Sequence, residues 1–375
     1  MKKIIKNVFC LSVLALLASC GGGNQGNQSS EKPDSTPESS EHESESSINA
    51  GVSSVTETSS INTGTSSKAN ISSSHANNNS SKTYVDNQLS AGGLVINFNA
   101  TGASISAIKW NNTQIAKDGF TVGRCANRLA NGKFTIDGVE YTADINSSPH
   151  SLHGGNGSGW NSWRGPFATA DWTKVEQTAS SITYSIHSND KANGYPGNMD
   201  MTVKYSLSQE GALSIEYSAT TDKATLCNPT NHLFMDLNGN RSYDNVKLQI
   251  NADKYTPLEN QIPTGEIVSV ENTQFDYRVE KAFDSTKSYD DNLVLNGTGY
   301  RKVATMTGST LGVKVDVFTD RPGLQLYKDG SGNICLETQM FPDMINHPEF
   351  ADYGTTILRP GETFASKTTY AFSQA

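Results

Sequence analysis

Between Leu94 and Phe372 short runs with apolar residues at every second position recur from end to end, and no stretch of ten residues carries the 3.6-residue repeat of an amphipathic helix. Period-two alternation sends successive side chains to opposite faces of a strand, so this region must build sheets with one face buried. Phe134 and Ile136, then Asp137-Gly138, then Val139 and Tyr141 read as a hairpin with a two-residue turn. Val203, Tyr205 and Leu207 alternate, turn at Glu210-Gly211, and resume at Leu213, Ile215 and Tyr217. Val246, Leu248 and Ile250 form another run, Val313, Val315 and Val317 a further one, and Leu324, Leu326 and Ile334 to Leu336 complete the core. The pattern runs without a boundary or repeat over residues 83–375, which predicts one all-β domain, a large antiparallel β-sandwich.

The first 82 residues are of another kind. Lys2, Lys3 and Lys6 precede an apolar stretch from Val8 to Ala18, too short to span a bilayer and suited to an export signal. It ends in Leu17-Ala18-Ser19-Cys20, which resembles the lipobox of bacterial lipoproteins. That resemblance implies that residues 1–19 are removed, that Cys20 is acylated, and that membrane lipid is a partner at the bacterial cell envelope. The plainer alternative is an ordinary signal peptide with an incidental Cys. Residues 21–82 hold 19 serines, 8 asparagines and no aromatic residue. Such a segment cannot bury enough apolar surface to offset its ordering entropy, so residues 20–82 read as a disordered tether. A flexible coil of that length reaches roughly 45 Å.

The chain of 375 residues carries a net charge of −9, and its mean hydropathy is −0.49. An acidic balance argues against a nucleic-acid partner. Of five cysteines, Cys125, Cys227 and Cys335 fall in the domain. Their wide spacing fits no zinc or redox motif, and small buried hydrophobes are expected. An odd number leaves at least one free thiol.

Polar clusters interrupt the apolar runs. Asn127-Arg128 precedes the Phe134 hairpin, and His150 and His153 lie in a loop near Trp160 and Trp163. Asn228 to His232 separates two apolar runs, Tyr289 to Asn292 precedes Leu293, and Glu337 stands inside an otherwise apolar strand. A carboxylate there is either paired with Arg as a structural element or held for proton transfer. Composition alone favours the structural pairing. Flat aromatic faces beside Asn, Asp, Arg and His suit a carbohydrate. No phosphate loop, HExxH or GxSxG pattern appears. His150 and His153 lack companion ligands, so no metal site is expected.

Read together, nine segments resemble the aldose 1-epimerase (galactose mutarotase) family, in that family's order. They are GRCANRLANGKFTIDGVEYT at 123–142, LHGG at 152–155, GYPG at 194–197, NPTNHLF at 228–234 and IPTGEI at 262–267. YDDN at 289–292, PGLQLY at 322–327, CLETQMFPD at 335–343 and LRPGE at 358–362 follow. The resemblance implies a mutarotase-like sandwich with a sugar cleft on one face. It implies Glu337 as general base, His232 as general acid, and His153 as a second histidine on the ring-oxygen side. Asn127, Arg128, Asp290 and Gln325 take substrate-binding positions. Departures at Leu233 to Asp236, Ser288, Asp291 and Met340 bear on which hexose is preferred. The implied reaction opens a cyclic hemiacetal and recloses it on the other face, without cofactor or metal. A base must take the proton of the anomeric hydroxyl while an acid protonates the ring oxygen, and a protonated His232 with a pKa near 6.5 suits the second task. A monomer acting on free galactose or glucose is expected. The alternatives are a non-catalytic sugar-binding lipoprotein, and a glycosidase using Glu337 and Asp290 as a carboxylate pair.

Overall fold

A computed structural model describes residues 84–375. The export signal, Cys20 and the tether therefore lie outside the described residues. Two antiparallel sheets, of ten and nine strands, stack over one apolar core. Ile96, Ile105, Leu233, Leu324 and Leu336 enter that core from the ten-stranded sheet. Val203, Ile215, Leu248, Val315 and Phe372 meet them from the other. Buried hydroxyls tie the layers together: Tyr370 Oη donates to the Leu336 carbonyl at 2.9 Å. The only α-helical segment among the described residues is Pro166–Thr169. The all-β sandwich expected from the alternation is thus the observed fold.

The turns follow local chemistry. Ile136 pairs with Val139 across Asp137 and Gly138, both at positive φ (50° and 78°), the geometry of a type I′ hairpin. Leu207 pairs with Leu213, closing the expected turn at Gly211.

The five central strands of the ten-stranded sheet are β1 (Thr113–Val122), β2 (Thr230–Met235), β3 (Asp290–Leu295), β4 (Gly323–Lys328) and β5 (Ile334–Gln339). Their lateral order is β1-β2-β5-β4-β3. Phe120 lies opposite His232, Glu337 opposite Gln325, and Gln325 opposite Asn292. Met235 lies opposite Ile334, so three antiparallel steps bring His232 opposite Glu337. One row therefore runs across five strands: Phe120, His232, Glu337, Gln325, Asn292. Alternation turns this row outward while Leu233, Leu324 and Leu336, one residue away, point into the core.

Candidate active site

His232 and Glu337 face each other at the centre of that row, with His232 Nε2 at 3.5 Å from Glu337 Oε1. Both are almost wholly buried. Aromatic rings wall the imidazole: Phe234 stacks on it at 4.6 Å between centroids and Phe120 at 5.0 Å. Tyr327, Trp163 and His153 stand edge-on at 5.6, 6.2 and 5.7 Å. His232 Nδ1 is buried without a partner among the described residues.

Burial in this setting opposes charge on both members of the pair. It pushes His232 from its ordinary 6.5 down to about 3. It pushes the Glu337 carboxyl well above the usual carboxylate range, helped by Asp290 and opposed by Arg128. At neutral pH His232 is therefore uncharged, and burial favours the protonated form of Glu337. This corrects the expectation of a resting imidazolium near pH 6.5: the low-polarity aromatic wall, invisible in the local sequence, removes it. The structural pairing that composition favoured for Glu337 is also absent, because its ion-pair partner among the described residues is His232, not an arginine.

The second histidine is oriented by the loop before the Phe134 hairpin. The Asn127 backbone N–H donates to His153 Nδ1 at 3.2 Å, so the neutral imidazole carries its proton on Nε2. Burial holds His153 neutral, well below its ordinary pKa. Asn127 and His153 both adopt left-handed backbone, at φ 62° and 54°, a cost that clusters at working sites. Asn127 Oδ1 accepts the Arg128 backbone N–H at 2.9 Å, which fixes the turn. The segment is anchored from behind by Arg124, buried and donating to the carbonyls of Pro196, Ser188 and Asn189, each at 2.9 Å. Asp343 completes the frame by accepting the Ala130 N–H at 3.0 Å.

On the far side of Glu337 lie the expected sugar-binding groups. Arg128 Nη1 meets Asp290 Oδ2 at 3.3 Å, and Gln325 Nε2 donates to Asp290 Oδ1 at 2.8 Å. Gln339 in turn donates to Gln325 Oε1 at 3.1 Å. All seven residues expected on the domain thus belong to one connected site. His150 does not: its ring accepts the Asn131 N–H and meets the Asn260 carbonyl, holding two loops together.

Several participants were not legible in the sequence. Phe120, Phe234 and Tyr327 line His232 only because of cross-strand register. Alternation from His232 could have nominated Phe234. Cys335, read as a plain buried hydrophobe, shares the outward face of β5 with Glu337. His232, Cys335 and Glu337 offer donor atoms within 4.8 Å of one another, the one such trio that a metal ion could bridge among the described residues. Burial, with Glu337 next, pushes the Cys335 thiol well above its ordinary pKa, so an ion would have to displace a firmly held proton. All three domain cysteines are free. Another open cleft, about 570 Å³ in volume, lies elsewhere and includes Asp253, Arg301 and Asp320. Its arginine is already committed to the carbonyls of Asn296 and Gly299.

The family model described as aldose 1-epimerase matches residues 86–371. The chain belongs to the aldose 1-epimerase family. Aldose 1-epimerase of Haemophilus influenzae is 33% identical over 283 residues, covering 68% of this chain and 80% of that protein. Galactose mutarotase of Rattus norvegicus is 37% identical, covering 68% and 79%. Among solved structures, an aldose epimerase homologue from C. elegans superposes with a TM-score of 0.69 at 25% identity, covering 77% of this chain and 98% of that one. Galactose 1-epimerase from Lactobacillus acidophilus shares the fold, with a TM-score of 0.65 at 23% identity and coverage of 76% and 93%. Membership makes the domain an isomerase of sugars on a galactose mutarotase-like sandwich.

Proposed function

We propose that residues 83–375 interconvert the α and β anomers of a free aldohexose such as galactose or glucose, and that acylated Cys20 holds the enzyme at the bacterial cell envelope. The observation that carries the mechanism is the buried contact between His232 Nε2 and Glu337 Oε1. Ring opening needs one proton to leave the anomeric hydroxyl and one to reach the ring oxygen. Held this close, one member can take a proton while the other gives one, so the pair can act as base and acid together.

The sugar sets the pair to work. The reactive state has Glu337 as carboxylate and the proton on His232, and hydroxyl donors arriving at Glu337 favour it. Glu337 then takes the proton of the anomeric hydroxyl while His232 protonates the ring oxygen. The C1–ring oxygen bond breaks and a free aldehyde forms. After rotation about C1–C2 the transfers reverse on the other face, which resets the pair. His153 Nε2–H donates to the ring-oxygen side, and Arg128, Asp290 and Gln325 hold the remaining hydroxyls. Each properly placed acid or base contributes on the order of 10²–10⁴ in rate.

The glycosidase reading loses support from Asp290, whose two oxygens are already engaged by Gln325 and Arg128. A non-catalytic binder would have no use for a desolvated acid–base pair. Polarimetry of fresh α-D-galactose and α-D-glucose tests the proposal. Glu337→Gln should lower the rate by on the order of 10²-fold or more while sugar affinity changes far less. Undiminished rate in the folded variant removes Glu337 as the base.

A further inference from the structure

The catalytic row does not stop at Phe120. The next strand of the sheet, Ser104–Trp110, pairs with β1 through Ile105 and Gly119. Over these two strands and the loop after His153 lies an open groove of about 420 Å³. Phe120 forms its wall toward His232, and Ser106, Asp118, Trp160, Asn161 and Arg164 are among its lining. The groove is therefore in line with the active site and separated from it by one aromatic ring.

Two of its features are unexplained by folding. Trp160 is fully exposed, so its indole contributes nothing to the core. Arg164 lies with its guanidinium carbon 4.7 Å from the Phe120 centroid and 5.5 Å from that of Trp163, and its Nε has no partner among the described residues. A free indole face beside serine, aspartate, asparagine and arginine is the chemistry that grips a sugar ring: an apolar face for its C–H surface and polar groups for its hydroxyls.

The order of the row says how such a ring is attached. The inference rests on the mutarotase reading, in which the anomeric hydroxyl meets Glu337 and the ring oxygen meets His232. Around a pyranose the sequence is C2, C1, ring oxygen, C5, C6. Across the sheet the matching sequence is Asp290 and Gln325, Glu337, His232, Phe120. C6 is thus the position aimed past His232 toward Phe120 and the groove, whereas C2 and C3 face the Arg128–Asp290 pair.

We propose that this groove is a second sugar subsite, taking a pyranose joined to the substrate through the oxygen on C6. The reducing end of a 1→6-linked disaccharide would occupy the catalytic row, with the second ring on Trp160. A 1→4-linked disaccharide does not direct its second ring along this path.

Calorimetric binding to the full chain, with isomaltose, maltose and glucose as probes, tests it. Isomaltose should bind about fivefold or more tightly than maltose or glucose. Trp160→Ala should remove that advantage and leave glucose affinity and glucose mutarotation within twofold. Ser106→Arg, which fills the groove from an exposed strand position, should do the same. Equal binding of isomaltose and maltose by the wild type would overturn the proposal, as would a uniform effect of Trp160→Ala on all three sugars. Binding and turnover separate the two readings: isomaltose preference without glucose mutarotation would refute the reaction and keep the subsite.

Discussion

Replacing Glu337 by Gln should make the domain more stable at alkaline pH while abolishing most of its activity. An unfolded chain ionises this carboxyl near 4.5, whereas the folded domain keeps it protonated well above that value. A raised carboxyl contributes stability that is fully present below 4.5 and is lost as pH rises toward its folded pKa. The slope is about 1.4 kcal/mol per pH unit while the folded state holds one proton more than the unfolded. Glutamine has no proton to hold, so its curve lacks this slope. From pH 4.5 upward the wild type should lose stability relative to Glu337→Gln until the raised folded-state pKa is passed. Below pH 6.5 His232 and His153, both lowered by burial, titrate in the opposite sense, so the difference from Glu337→Gln rather than the wild-type curve alone isolates the carboxyl. Urea unfolding of both proteins, followed by tryptophan fluorescence at half-unit steps of pH, measures the difference. Parallel stabilities over this range would mean that Glu337 is already a carboxylate in the folded domain. That result would refute the reading that burial raises the Glu337 carboxyl.

The other expectations concern the frame of the site and the anchor. Gly165→Ala should cost about 1–3 kcal/mol and lower activity, since φ is 88° there and a Cβ would strike the His153 carbonyl; thermal melts and polarimetry check both. Cys335→Ser should keep the mutarotation rate within a few-fold and weaken inhibition by zinc, measured as the zinc concentration that halves the rate, because the trio of donors loses its sulfur. His232→Asn should match Glu337→Gln in lost rate, and the double variant should be little worse than either, because the two groups act as one unit. Cys20→Ala should move the protein from the membrane to the soluble fraction at unchanged specific activity, and removal of residues 1–82 should leave a cooperative melting transition.

Much of this molecule is written in local patterns. Alternation at Leu94 to Phe98, or at Val203 to Leu207, reports strand and buried face together, because both depend on neighbours two residues apart. The Asp137-Gly138 turn is equally local, since its two positive φ angles need those residue types. The seven site positions on the domain came from motif resemblance, and the structure joins them into one network. What the sequence does not carry is which strand lies beside which. Phe120 meets His232, and Tyr327 lies opposite Asp290, across more than thirty residues of chain. The electrostatics fail for the same reason: the aromatic wall that strips charge from His232 comes from β1, β2 and β4 and from the Trp163 loop. Composition also misjudged Glu337 as a structural partner of arginine, because nothing in its own strand announces the histidine across from it.

The acid and the base sit in mid-strand, each flanked in the chain by side chains that fill the space between the sheets: Leu233 beside His232, and Leu336 beside Glu337. Reaction and folding are thereby printed on opposite sides of the same ribbon. A slip of one residue in β2 or β5 would turn the proton-handling groups inward and the leucines outward, so the register that gives the domain its stability also keeps its chemistry intact. A change in the bordering turns, such as the stretch from Asn156 to Gly165, leaves that pleat in place, whereas a change of register beneath them would cost fold and reaction together.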